Sequence, residues 1–270
     1  MSLDPSPPPA KDPYTPAEMA SRVEAGGVAK AALDAPRMLG LAILAGAFIG
    51  LGAAVSTVAA TDTGLGYGPT RLIAGLAFSL GLVLVMVGGA ELFTGNNLIV
   101  IAWADRRVTT RALLRNWAIV YAGNFLGALA TAYGVYLSGI HKLASGKVGE
   151  TALAIARAKV SLSFSEAFAR GVFCNALVCL AVWLGFSART TTDKILCVVF
   201  PVTAFVAAGF EHSIANMYFV PMGMLLDRSS TSLSWSGLLV DNLLPVTLGN
   251  VFGGSLMVGL AYWFIYLRKR

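Results

Sequence analysis

The chain has 270 residues, of which 56% are hydrophobic and 13% charged, with a mean hydropathy of +0.71 and a formal net charge of +6. That balance lies outside the range of soluble domains and describes an integral membrane protein. The basic residues are scattered among apolar runs and form no single stripe, so they read as Lys and Arg on the cytoplasmic side of a bilayer, and no nucleic-acid partner is expected.

Residues 1–36 form a polar, proline-rich cytoplasmic segment, in which no apolar core followed by a small-residue cleavage site marks a signal peptide. Residues 1–13 read as disordered. Thr15-Pro16-Ala17-Glu18 is a capping box with proline at the first helical position, which predicts a short surface helix to about Leu33. The membrane domain is expected over residues 37–270. Charge-free runs at residues 38–60, 72–90, 116–140, 171–188 and 242–267 are long enough, or nearly so, to cross the bilayer as helices. Residues 72–104 and 195–226 are each too long for one straight span and too short for two with a turn. Each carries a glutamate and glycines in its middle, which predicts a helix broken at the bilayer midplane where the irregular backbone lines a cavity. Cys174, Cys179 and Cys197 sit inside apolar runs without metal-ligand spacing and read as small core residues, so no metal or cofactor is expected.

The chain repeats itself. Residues 209–223 read G-F-E-H-S-I-A-N-M-Y-F-V-P-M-G, and residues 89–96, 120 positions earlier, read G-A-E-L-F-T-G-N. Gly89, Glu91 and Asn96 thus correspond to Gly209, Glu211 and Asn216. Asn116, Gly123-Asn124 and Gly127 correspond in turn to Asn242, Gly249-Asn250 and Gly253 at an offset of 126. Six spans therefore form two three-helix repeats, at about residues 37–140 and 166–268, with spans two and five broken. An odd number of spans per repeat forces the two to insert in opposite orientations. Thirteen of the 20 Lys and Arg fall on the side of the termini, which places both ends in the cytoplasm.

Features shared by the repeats read as scaffold and features that differ read as chemistry. Gly123-x-x-x-Gly127 and Gly249-x-x-x-Gly253 read as close-packing faces. Glu91 and Glu211 are expected to accept from the orphan N–H groups of the broken helices, and Asn96 and Asn216 to belong to the same scaffold. His212 stands where the first repeat has Leu92, and Thr94 where the second has Ile214. An ionisable group at bilayer depth is a functional-site hypothesis by default, and these asymmetric polar groups are the expected substrate contacts. Adjacent residues on a helix do not face one another, so Glu211-His212-Ser213 makes no hydrolase site, and no G-x-S-x-G or H-E-x-x-H is present; no enzymatic activity is expected.

E-L-F-T from Glu91, G-N-x-x-G-A from Gly123, F-E-H-S-I-A-N-M from Phe210, D-N-L-x-P-V-T from Asp241 and G-N-x-x-G-G from Gly249 carry a resemblance to the formate/nitrite transporter family, closest to its formate branch. The resemblance implies an aquaporin-like all-α fold and a homopentamer in the cell inner (cytoplasmic) membrane, each subunit having its own pore for formate or, alternatively, nitrite or hydrosulfide. It further implies apolar slits formed by Phe78, Leu82, Leu92, Phe93 and Phe205, with Lys159, Asn175, Thr94 and His212 as polar groups along the path. An aquaporin-type channel for neutral solutes is the rival, disfavoured because paired N-P-A motifs are absent. Lys159, in an external loop, is expected to attract the anion. His212 is expected to stay neutral until the anion favours the imidazolium, and then to pass a proton to it.

Overall fold

The computed structural model describes residues 12–268. The expected disorder of residues 1–13 lies, but for its last two positions, outside them. Thr15 accepts the Glu18 amide at 3.4 Å and the Glu18 carboxylate accepts the Thr15 amide at 2.8 Å, and this capping box starts α1 (Pro16–Ala32) as the sequence predicts. The membrane domain follows as α2 (Ala35–Ala60), α3 (Tyr67–Gly88), α4 (Phe93–Ala104), α5 (Thr110–Leu137), the short α6 (Lys147–Val160), α7 (Phe164–Gly185), α8 (Thr191–Ala207), α9 (Ser213–Leu226) and α10 (Gly237–Tyr266). Five of these are long and apolar enough to cross a membrane, and α4 and α9 are shorter apolar helices.

Both predicted breaks are present. Gly89 and Gly209 end α3 and α8 with φ of 80° and 72°, a left-handed conformation that glycine adopts without a Cβ penalty. Extended residues Leu92 and His212 then open α4 and α9. The broken helices run beside each other, α3 against α8, while α2 packs on α3 and α5, and α7 on α8 and α10. The G-x-x-x-G faces permit this: a Cβ at Gly127 would overlap the Ile43 carbonyl, and one at Gly253 the Val172 carbonyl. The helix α10 contains two π-helical stretches, Gly237–Leu243 and Phe252–Leu260.

The distribution of polarity is that of a chain immersed in lipid. Large apolar side chains such as Leu44, Leu76, Phe173 and Phe200 face outward, whereas Asn96, Asn116, Asn124, Asn175, Asn216, Asn242 and Asn250 are buried. α1 packs on α4 and on the end of α10, so both described ends of the chain lie on one face, called here the terminal face.

Candidate functional site

Two cavities approach the breaks from opposite faces and share no lining residue. The one on the terminal face has about 340 Å³ and is lined by Leu82, Val85, Met86, Leu92, Lys30 and Glu91 among others. The one on the far face has about 70 Å³ and is lined by Phe78, Phe205, Phe219, Arg71, Lys159 and His212 among others. Between them Thr94 Oγ1 and His212 Nε2 lie 3.0 Å apart, both residues buried. The two asymmetric polar residues of the repeats, 118 positions apart, are thus brought into direct contact.

The ring of His212 has a fixed tautomer. Its Nδ1 accepts the Ala215 amide at 3.1 Å, making His212 the N-cap of α9. An amide N–H can only donate, so Nδ1 carries no proton, the ring is neutral, and Nε2–H donates to the Thr94 hydroxyl. An imidazolium would break the cap. At rest His212 is therefore a neutral hydrogen-bond donor, and it could take a proton on Nδ1 only by giving up the cap of α9. Its ring also stacks on Phe205, at 5.9 Å between centroids.

Behind each break stands the same polar network. In the first repeat Lys30 Nζ donates to Glu91 at 2.7 Å, Asn96 Nδ2 donates to Glu91 at 2.6 Å and to Asn116 Oδ1 at 3.0 Å, and Asn116 Nδ2 donates to the Lys30 carbonyl at 3.3 Å. In the second, Lys159 Nζ donates to both Glu211 oxygens at 3.0 Å, Asn216 to Glu211 and to Asn242 at 2.7 Å each, and Asn242 to the Lys159 carbonyl at 2.9 Å. The glutamates thus accept from lysine and asparagine and not from the half-helix amides. Those amides go to the asparagines of the G-N motifs. Phe93 N donates to Asn124 Oδ1 and Ser213 N to Asn250 Oδ1, each at 2.9 Å. Each asparagine amide then ties the carbonyl of its glutamate, Glu91 or Glu211, at 2.9 Å. A neutral amide suits this role because it can accept from one strand of backbone while donating to others, which a carboxylate cannot.

Other expected site residues fall in different places. Lys159 lies on α6, and its side chain is only 13% exposed, so it is a buried partner of Glu211 and not an exposed loop cation. Phe78 and Phe205 meet edge to face at 5.8 Å in the far cavity, and Leu82 and Leu92 line the cavity on the terminal face. Phe93 turns away from both: it packs on Tyr121 and Trp117, with centroids 4.8 and 6.0 Å distant, in a lateral groove between α5 and α10. Asn175 lines neither cavity. Its Nδ2 donates to Asn97 Oδ1 at 2.8 Å and to the Asn250 carbonyl at 2.7 Å, and lies 3.3 Å from the Thr94 carbonyl, so it holds the Thr94 backbone from behind. Phe219, stacked on Phe78 at 6.5 Å, and Arg71 are lining residues that the sequence reading missed, as it missed Lys30.

The family model described as formate/nitrite transporter matches residues 17–264. The chain is 43% identical to the formate channel FocA of Escherichia coli (strain K12) over 96% of each chain, and 41% identical to that of Haemophilus influenzae over 81% of this chain and 82% of the relative. A solved structure described as a pentameric formate channel with formate bound superimposes with a TM-score of 0.81 at 42% identity, covering 87% of this chain and 98% of that one. A duplicated six-span architecture with two broken helices, matched over nearly its whole length in sequence and in structure, makes this chain a member of the formate/nitrite transporter family.

Proposed function

We propose that the chain conducts formate, and with it similar small monovalent anions such as nitrite or hydrosulfide, through a pore in each subunit of a homopentamer. Its relatives are named formate channels and its structural neighbour is pentameric with formate bound, which supports both substrate and assembly. The proposed location is the cytoplasmic membrane with the terminal face inward, supported by the excess of Lys and Arg on that side.

The observation that carries the reading is the contact between Thr94 and His212 at the barrier between two cavities. The Nε2–H of His212 points at Thr94, and the Thr94 hydroxyl has its own proton to give. An anion arriving from the far face accepts both donors in place of their mutual bond. The route narrows on both sides of this contact, at Phe78 and Phe205 in the far cavity and at Leu82 and Leu92 on the terminal side, and a bare anion in these apolar slits meets no compensating charge. Protonating a carboxylate of pKa about 4 at pH 7 costs about 4 kcal/mol, less than taking the charge through an apolar constriction. Formate therefore crosses as the neutral acid, neutralised near His212. Because Nδ1 is committed to the cap of α9, the proton comes from the solvent of the cavity and not from the ring.

The test is formate flux into liposomes carrying the protein, with internal pH followed at the same time. One proton should accompany each formate. His212→Asn keeps an N-cap side chain for α9 but is too short to reach Thr94, and should lower flux about tenfold, the worth of one charge-assisted hydrogen bond, with the oligomer intact. Formate movement without a proton, or unchanged flux in the variant, refutes this mechanism.

A further inference from the structure

The far cavity holds two cations, and they are not equivalent. Lys159 spends its charge on Glu211, both of whose oxygens it holds at 3.0 Å. Arg71, on the second turn of α3, has no acidic partner among the described residues, and no acid lines the cavity. One of its Nη groups donates to the Val206 carbonyl at the end of α8, close to the Gly209 break. Its Nε is buried without a hydrogen-bond partner among the described residues. Capping one helix carbonyl needs a single donor, and a guanidinium brings five in one plane, so most of this fork is left for something else.

Its register on α3 says where that something would sit. Arg71, Phe78 and Leu82 fall on one face of the helix at the spacings seven and four. Arg71 thus stands about 10 Å before the aromatic constriction along the helix axis, and Leu82 follows beyond it. An anion entering from the far face meets the guanidinium first and the Phe78–Phe205 pair next.

We propose that Arg71 is the docking and shape-selecting residue of the far cavity. It takes planar anions that offer two oxygens, formate and nitrite among them, side-on to its fork, and gives no such advantage to a spherical or single-atom anion. This deepens the proposed function and rests on it for the identity of the permeant. Lysine at this position would keep the charge and the bond to Val206 but lose the planar match.

Two measurements test it. Line broadening of ¹³C-formate by the purified protein in detergent reads docking without transport, and the ratio of formate to hydrosulfide flux in liposomes reads selection. Arg71→Lys should cut the broadening and the flux ratio about fivefold each while hydrosulfide flux holds. On the unaltered protein, acetate should displace formate at concentrations where chloride of equal ionic strength does not, a comparison that requires no variant to fold. Equal displacement by chloride, unchanged broadening in Arg71→Lys, or an equal fall in both fluxes would overturn the assignment, the last marking Arg71 as a structural cap. Formate binding that depends on Arg71 in a protein that moves no formate would instead count against the transport reading and leave the docking role standing.

Discussion

Removing Lys159 alone should damage the protein more than removing it together with Glu211. The pair is buried, with side chains 13% and 6% exposed, and both carboxylate oxygens are held at 3.0 Å. Lys159→Met leaves Glu211 with only the amide of Asn216, at 2.7 Å, as a side-chain donor. Breaking a buried pair on one side costs about 3–5 kcal/mol, because the surviving charge has lost water and partner together. At about 2–4 °C per kcal/mol for a chain of this size, the expected fall in Tm is on the order of 10 °C. Lys159→Met combined with Glu211→Gln removes the charge as well as the partner and should regain most of that loss. The matching pair Lys30–Glu91 has its lysine 35% exposed, so solvent screens it and the same substitution there should cost about 1–2 kcal/mol. Thermal unfolding of the detergent-solubilised oligomer, followed by intrinsic fluorescence for the singles and doubles of both pairs, reads all of this. If Lys159→Met lies within about 1 kcal/mol of the unaltered protein, or the double variant is no better than the worse single, the reasoning from buried charge is refuted. Burial also predicts that the effect of Lys159 on flux is nearly independent of salt, the reverse of what an exposed loop lysine would give.

Gly253→Ala would set a methyl group into the Val172 carbonyl of α7, a backbone atom that cannot step aside; it should cost at least about 2 kcal/mol and lower the yield of assembled protein, while Gly134→Ala, where nothing lies within 4 Å, should be silent by size-exclusion chromatography. Midway along α1, burial and then the neighbouring Asp105 carboxylate raise the Glu24 carboxyl above its ordinary value, against the pull of Arg107 at 2.9 Å. Docked α1 thus binds a proton that released α1 gives up, so this contact contributes most at acid pH and loses its contribution as pH rises through the raised value. Amide exchange in α1, corrected for its intrinsic rate, should therefore be slower near pH 5 than near pH 8, and Glu24→Gln should remove that difference.

Much of this architecture could be read from spacing. The breaks of spans two and five follow from glycine and glutamate recurring inside runs of the wrong length, and the contact between Thr94 and His212 was within reach because a duplicated scaffold puts its two unlike positions on one axis. The residues that escaped did so for identifiable reasons. Lys30 is the partner of Glu91 as Lys159 is of Glu211, but the separations are 61 and 52 residues, because the lysines lie on segments of unequal length outside the repeated spans. The half-helix amides choose asparagine over glutamate, a choice that depends on which side chain faces the break and not on which is nearest in sequence. Phe93 follows an extended residue, and its direction, away from the cavities and into the lateral groove, depends on φ and ψ at Leu92, which no periodicity records.

The asymmetry between the halves is small in sequence and decisive in chemistry. Both half-helices receive an asparagine oxygen at their first amide, yet only the second has an N-cap side chain of its own, His212 in place of Leu92. That cap fixes one ring nitrogen as an acceptor and so leaves the other as a donor with a single direction, toward Thr94. The first half supplies a threonine there because a donor at the barrier must have something to donate to while no anion is present; a buried N–H without an acceptor would cost about 1–3 kcal/mol. Thr94 satisfies that need with a group that can itself turn and donate. In the proposed mechanism this resting bond is exchanged for two bonds to an anion. An inert side chain at either position would lose one half of this exchange: valine at 94 would strand the histidine proton, and leucine at 212 would restore the symmetry of the repeats and leave the anion no directed donor at all.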